Sequence, residues 1–152
     1  DAGVRPFYYW TFDVQNNTGE DQFLAPKFEL ATDTGQIYRS GRGVPREVTE
    51  EILRRLRNPL LEDELSAQGR LLQGEEHAKT VLVVWPVQEL DVDEISIYAS
   101  GLSGETDTVI RPDTGETVVL RKTLMLRHDV PGTLNIRTSE PLSRTLERWI
   151  MR

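Results

Sequence analysis

The sequence has no cysteine and only two histidines among its 152 residues. Without thiols there is no disulfide framework, no thiolate metal site and no cysteine nucleophile. The absence leaves the cellular compartment open, since exported bacterial β domains often lack cysteine too. His77 and His128 stand far apart in sequence, and neither has the HxxH or HExxH neighbour of a zinc site. No apolar run approaches the ~18 residues that a membrane span needs. Positive charge is also scarce: 18 Lys and Arg stand against 25 Asp and Glu, for a net charge of -7. The imbalance is spread along the chain, with 9 basic against 14 acidic residues up to Glu76 and 9 against 11 beyond it. Phosphate binding needs a concentrated basic surface, so nucleic acid is excluded as the main partner.

What is present suits a globular domain. Hydrophobic residues make up 38% and charged residues 28%, too much patterned apolar content for disorder. The length fits one domain over residues 1–152. Because the first residue is Asp1 rather than Met, we expect an upstream segment, such as a signal peptide, to have been removed.

Strand periodicity dominates. In Phe7 to Val14 the residues Tyr8, Trp10, Phe12 and Val14 share one face, and Phe7, Tyr9, Thr11 and Asp13 share the other. Asn16-Asn17-Thr18-Gly19 is turn chemistry. A strand near Phe23 to Thr32 is interrupted by Pro26, which marks an edge or a bulge. Further strands are expected at Gln36 to Tyr38, His77 to Trp85, Glu94 to Ser100 (Ile95, Ile97 and Ala99 inward), Thr117 to Arg127 and Thr133 to Ile136. Between Pro45 and Arg57 the period changes. Val48, Ile52 and Leu56 recur at helical spacing, Pro45 suits a helix start and Pro59 stops it. Leu142, Leu146, Trp149 and Ile150 also fall on one helical face, with Arg144, Arg148 and Arg152 opposite. The resulting expectation is a mainly β, immunoglobulin-like antiparallel β-sandwich with one inserted helix (about 45–57) and a C-terminal helix (about 140–151).

Few residues suggest chemistry. Asp33-Thr34-Gly35 and Asp113-Thr114-Gly115 match the triplet with which aspartic proteases bring two carboxylates together. Their flanks differ from that motif, and such an enzyme needs about twice this length; Asp-Thr-Gly is also a good hairpin loop. The acidic stretch Glu89 to Glu94 has oxygens for calcium but lacks EF-hand spacing and its glycine, and whether it binds calcium stays open. Asn16-Asn17-Thr18 is a glycosylation sequon only in a eukaryotic secreted chain. Serines lack a GxSxG context and no glycine pattern suits a phosphate or dinucleotide. We therefore expect no catalytic, metal or cofactor-binding residues and no enzyme activity. The C-terminal helix is expected to pack Leu142, Leu146, Trp149 and Ile150 on the domain's own sheet, with its arginines in water. The alternative is that it lies on an anionic membrane surface or docks on a partner. The candidate partner surface is Phe7, Tyr9, Arg144, Arg148 and Trp149.

Three short motifs carry a resemblance. Phe12 to Glu20, the Asp-x-Gly-x-x-Tyr of Asp33 to Tyr38, and Leu72-Gln73-Gly74-Glu75 leading into Val81 to Trp85 resemble telokin-like, immunoglobulin-like accessory domains of bacterial envelope proteins. The likeness spans about Phe7 to Ser100. Leu120 to His128 and Arg148 to Arg152 look like features of an exported family from planctomycete-type bacteria. The resemblance implies an extracytoplasmic, non-catalytic binding or assembly module with a protein or envelope partner. Membrane contact would then come only through a removed N-terminal anchor or the C-terminal helix. A carboxylate hydrolase drawing on Asp33, Asp91, Asp93 or Asp113 is the alternative from another class.

Overall fold

The computed structural model describes residues 5–132 and 140–152. Among the described residues strands hold 49% and helices 13%, so the protein is mainly β. In chain order the elements are β1 (Phe7–Val14), β2 (Gln22–Leu24), β3 (Lys27–Thr32), β4 (Ile37–Arg39), α1 (Arg46–Leu56), β5 (Leu61–Asp63), α2 (Glu64–Ala67) and β6 (Gly69–Leu71). The second half adds β7 (Lys79–Pro86), β8 (Glu94–Ser100), β9 (Thr106–Ile110), β10 (Thr117–Asp129) and β11 (Arg144–Met151). The strand expected at Thr133 to Ile136 lies outside the described residues.

Two sheets of unequal width share the core. The small one has the order β1-β7-β5; the large one runs β11-β10-β8-β3-β4, with β9 extending the β10 ladder. Val81, Val83 and Trp85 from the small sheet meet Phe28, Leu30, Ile95, Ile97, Ala99 and Leu126 from the large one in a single hydrophobic cluster. Each fully buried side chain of this size contributes about 1.5–3 kcal/mol. The inward residues are the ones that period two selects: Ile95, Ile97 and Ala99 are buried, with Ser96 and Tyr98 between them less so. Tyr8, Trp10, Phe12 and Val14 pack against the cluster from β1, and Trp10 meets Phe28 edge-on at 5.9 Å.

Two expectations need correcting. The first is the C-terminal helix: Arg144–Met151 is a strand, paired antiparallel with β10 from Lys122↔Met151 to His128↔Arg144. Leu146 and Ile150 fit one face of a strand as well as helical spacing, whereas Trp149 falls on the other face, and pairing with β10 settles the choice. Arg144, Arg148 and Trp149 therefore do not lie on opposite sides of a helix. Arg148 is opposite Met125, whereas Trp149 is opposite Leu124 on the core-facing side. The second concerns strand direction. β5 runs parallel to β7, because residues 64–78 form the long crossover that a parallel pair requires.

Pro26 falls in the gap between β2 and β3. α1 lies within the expected range and ends at Arg57, whose φ of 52° is the left-handed conformation that stops a helix. Asn16 is buried where β1 ends. Its Nδ2 donates to the Glu20 carbonyl at 2.7 Å and the Leu71 carbonyl at 3.0 Å, while its Oδ1 accepts from the Thr18 amide and hydroxyl. The sequon asparagine is thus a structural hub joining the β1 turn to β6. Asn16→Ala is expected to cost about 1–3 kcal/mol, because it leaves buried carbonyls unpaired; urea unfolding followed by circular dichroism checks this.

Candidate functional site

The unequal sheets leave an opening beside β1. A cleft of about 660 Å³ runs along this strand, within the usual range for ligand sites. One wall is α1, through Val48, Ile52 and Leu56. The helical stripe read from the sequence faces this cleft, and none of its residues is fully buried. The other wall is formed by Ile95, Ile97, His128, Leu142 and Arg144, and β1 with Trp85 lies between the two.

Of the candidate partner residues, Phe7, Tyr9 and Arg144 line this cleft. Trp149 is 46% exposed on the core-facing side of the large sheet, beyond the reach of the small one. Arg148 is on the other face, opposite Met125, apart from the rest. The contribution of α1 was visible as an amphipathic stripe, but nothing in the sequence showed that it stands across from β1.

His128 is buried to 9% exposure, and its Nε2 accepts a hydrogen bond from Arg144 Nε at 3.3 Å. The ring is therefore neutral, with its proton on Nδ1, which has no partner among the described residues. Burial holds its pKa below the ordinary 6.5, and the Arg144 charge pushes in the same direction. The native state thus binds protons less readily than the unfolded chain. Stability from this group is complete above pH 6.5 and is lost as pH falls from there through the depressed native value. His128→Gln keeps an acceptor for Arg144 without titrating, so its urea midpoint should fall less than wild type between neutral and mildly acidic pH.

At the end of the sandwich that holds the β3–β4 turn, Glu89 gathers hydroxyls. Thr34 donates to it at 2.5 Å, Tyr38 at 2.8 Å and Thr32 at 3.3 Å. The bonds from Thr34 and Tyr38 hold the Glu89 carboxyl below its usual pKa. Tyr8 is shifted up, first by burial and then by the nearby Glu89 charge. Asp33 accepts the Asp93 amide at 3.2 Å, tying the turn to the acidic loop. These carboxylates are engaged in joining loops, and no cluster of three or more metal-ligating side chains occurs among the described residues.

Asp113 is elsewhere. Its triplet forms the β9–β10 turn, where Arg111 holds the carboxylate at 2.7 Å. Gly35 and Gly115 both have positive φ, so both Asp-Thr-Gly triplets serve as turns. Thr32, next to Asp33, aligns through Ile95 with His128, eleven residues along β10 from Thr117 near the other triplet. At ~3.3 Å per residue that stretch of β10 measures ~36 Å if straight, so the two aspartates lie toward opposite ends of it. They cannot share a proton or a water.

No protein-family model, curated protein or solved structure matches this chain.

Proposed function

We propose that this protein is a non-catalytic binding module of the bacterial cell envelope, built on an immunoglobulin-like sandwich and taking its partner into the cleft beside β1. The observation that carries the reading is the cleft itself, about 660 Å³ between α1 and the His128 side of the large sheet, with aromatic residues of β1 along it. Apolar side chains on both walls are interleaved with charged ones such as Glu51, Arg55 and Arg144, and concave sites that combine apolar surface with polar groups are the usual places of binding. The extracytoplasmic placement and the immunoglobulin-like arrangement rest on the telokin-like motifs of the first hundred residues. Phe7, Tyr9 and Arg144 are the contact residues in this reading, with Trp149 at the margin.

Ile52→Glu places a charge on the α1 wall without touching the core, since no α1 residue is buried. A partner recovered from an envelope fraction with the wild-type protein should be lost with this variant. Equal recovery by both, or recovery of nothing by either, would contradict the proposal.

A further inference from the structure

We infer that the cleft accepts an extended peptide segment of another protein, which adds to β1 as a new edge strand of the small sheet. The inference rests on the proposed cleft-binding role and names the class of its occupant.

The register of β1 fixes where its backbone groups point. Phe7 pairs with Pro86 in an antiparallel ladder, and the Val87 amide donates to the Pro6 carbonyl at 3.2 Å. Bonded pairs alternate along such a ladder, so Tyr8, Trp10, Phe12 and Val14 bond to β7. The Gly41 amide donates to the Val84 carbonyl on the opposite edge of β7, as this alternation requires. The amides and carbonyls of Phe7, Tyr9, Thr11 and Asp13 consequently point away from β7, and among the described residues β1 pairs with no other strand. They form a row of donors and acceptors repeating every ~6.8 Å, which an extended backbone matches and a compact ligand does not.

Three other edges are guarded in ways that β1 is not. β4 and β5 are three residues long, and β11 carries Arg144, Glu147 and Arg148. Short or charged edges resist strand addition. β1 is eight residues long, has no lysine or proline, and bears its one charge at Asp13 near the end.

The sandwich also leaves space for the added strand. β1 is the last strand of a three-stranded sheet, whereas the large sheet continues through β10 and β11. Its Leu124 is half-buried and Trp149 is exposed on the core-facing side. A strand beside β1 would lie in the cleft over the half-buried Tyr8 and Trp10, facing Ile97 and Leu142. Its alternate side chains would reach the α1 wall at Val48 and Ile52. Two walls around the edge favour a single strand over the body of a second copy.

Short random peptides displayed on phage provide the probe, with wild type, Thr11→Pro and Ile52→Glu as targets. The Thr11 amide points outward, so proline removes a docking donor while leaving the β1–β7 ladder intact. Enriched peptides should alternate apolar and polar residues and bind Thr11→Pro on the order of tenfold more weakly, the effect of about 1.4 kcal/mol. Ile52→Glu should not bind them. In the wild type, the peptides should slow amide exchange at Tyr9, Thr11 and Asp13, a readout independent of any variant. Binding lost with Ile52→Glu, kept with Thr11→Pro and without that protection would overturn strand addition while leaving the cleft reading intact. No enrichment, or binding indifferent to both substitutions, would overturn both. A wild type that dimerises and a Thr11→Pro chain that does not would assign the edge to a second copy and overturn the proposal.

Discussion

Replacing Trp85 with alanine is expected to lower the unfolding free energy by about 3–5 kcal/mol, the usual cost of emptying a large buried aromatic site. Trp85 is fully buried near the end of β7 and belongs to the cluster that joins the two sheets. It is opposite Tyr8 on β1 and lines the floor of the cleft, so its removal weakens the core and loosens the site at once. The indole Nε1 adds a second effect. It is buried and has no hydrogen-bond partner among the described residues, a condition that costs about 1–3 kcal/mol. Trp85→Phe deletes that unsatisfied donor and retains most of the ring, so its net cost should be well below that of alanine. Urea denaturation of both variants checks the pair; equal losses would mean that the indole nitrogen has a partner.

Gly101→Ala should cost about 2–4 kcal/mol, through two effects that add. Gly101 has φ of +84°, a conformation that costs an ordinary residue about 1–3 kcal/mol. A Cβ there would also meet the Pro26 Cα at 2.9 Å and the Ala25 carbonyl oxygen at 3.1 Å. Both contacts are to backbone, which cannot rotate aside as a side chain can. The same Pro26 that interrupts the β2–β3 run therefore lies against the end of β8, where Lys27 pairs with Ser100. Gly104 is the internal comparison. A Cβ there meets nothing within 4 Å, and Gly104→Ala should be neutral or slightly stabilising. Thermal unfolding of the two variants separates the effects, and a matching loss at Gly104 would contradict the steric explanation.

The parts of the fold legible in the sequence were those where one period was available. Tyr8, Trp10, Phe12 and Val14 share one face of a β-branched and aromatic run, and Ile95, Ile97 and Ala99 alternate with polar neighbours, so the inward face followed from residue type. Val48, Ile52 and Leu56, with Leu53 beside them, fit a helix between a proline start and a proline stop. Arg144 to Met151 admitted two periods: Leu146 with Ile150 fits a helical turn and also one face of a strand. The long-range partner β10 decided it, and local pattern cannot see a partner. β9 was missed because all five of its residues are exposed, and an exposed ribbon leaves no alternation of apolar and polar residues. β5 and β6 are three residues each, too short for any periodic signal.

The candidate site was legible in pieces. Phe7, Tyr9 and Arg144 were singled out as surface residues, and the structure brings them to one cleft. Arg148 was grouped with them only through the mistaken helix. What the sequence could not show is the difference in width between the two sheets, a property of strand pairing that leaves β1 as an edge beside open space.

The most direct measurement of the central claim is residue-resolved amide exchange along β1 in the unliganded protein. The described pairing predicts alternation: the Tyr8, Trp10 and Phe12 amides, bonded to β7, exchange slowly, whereas those of Tyr9, Thr11 and Asp13 exchange quickly. Uniform protection along Tyr8 to Asp13 would mean that the edge is already covered, and would contradict a docking strand at β1.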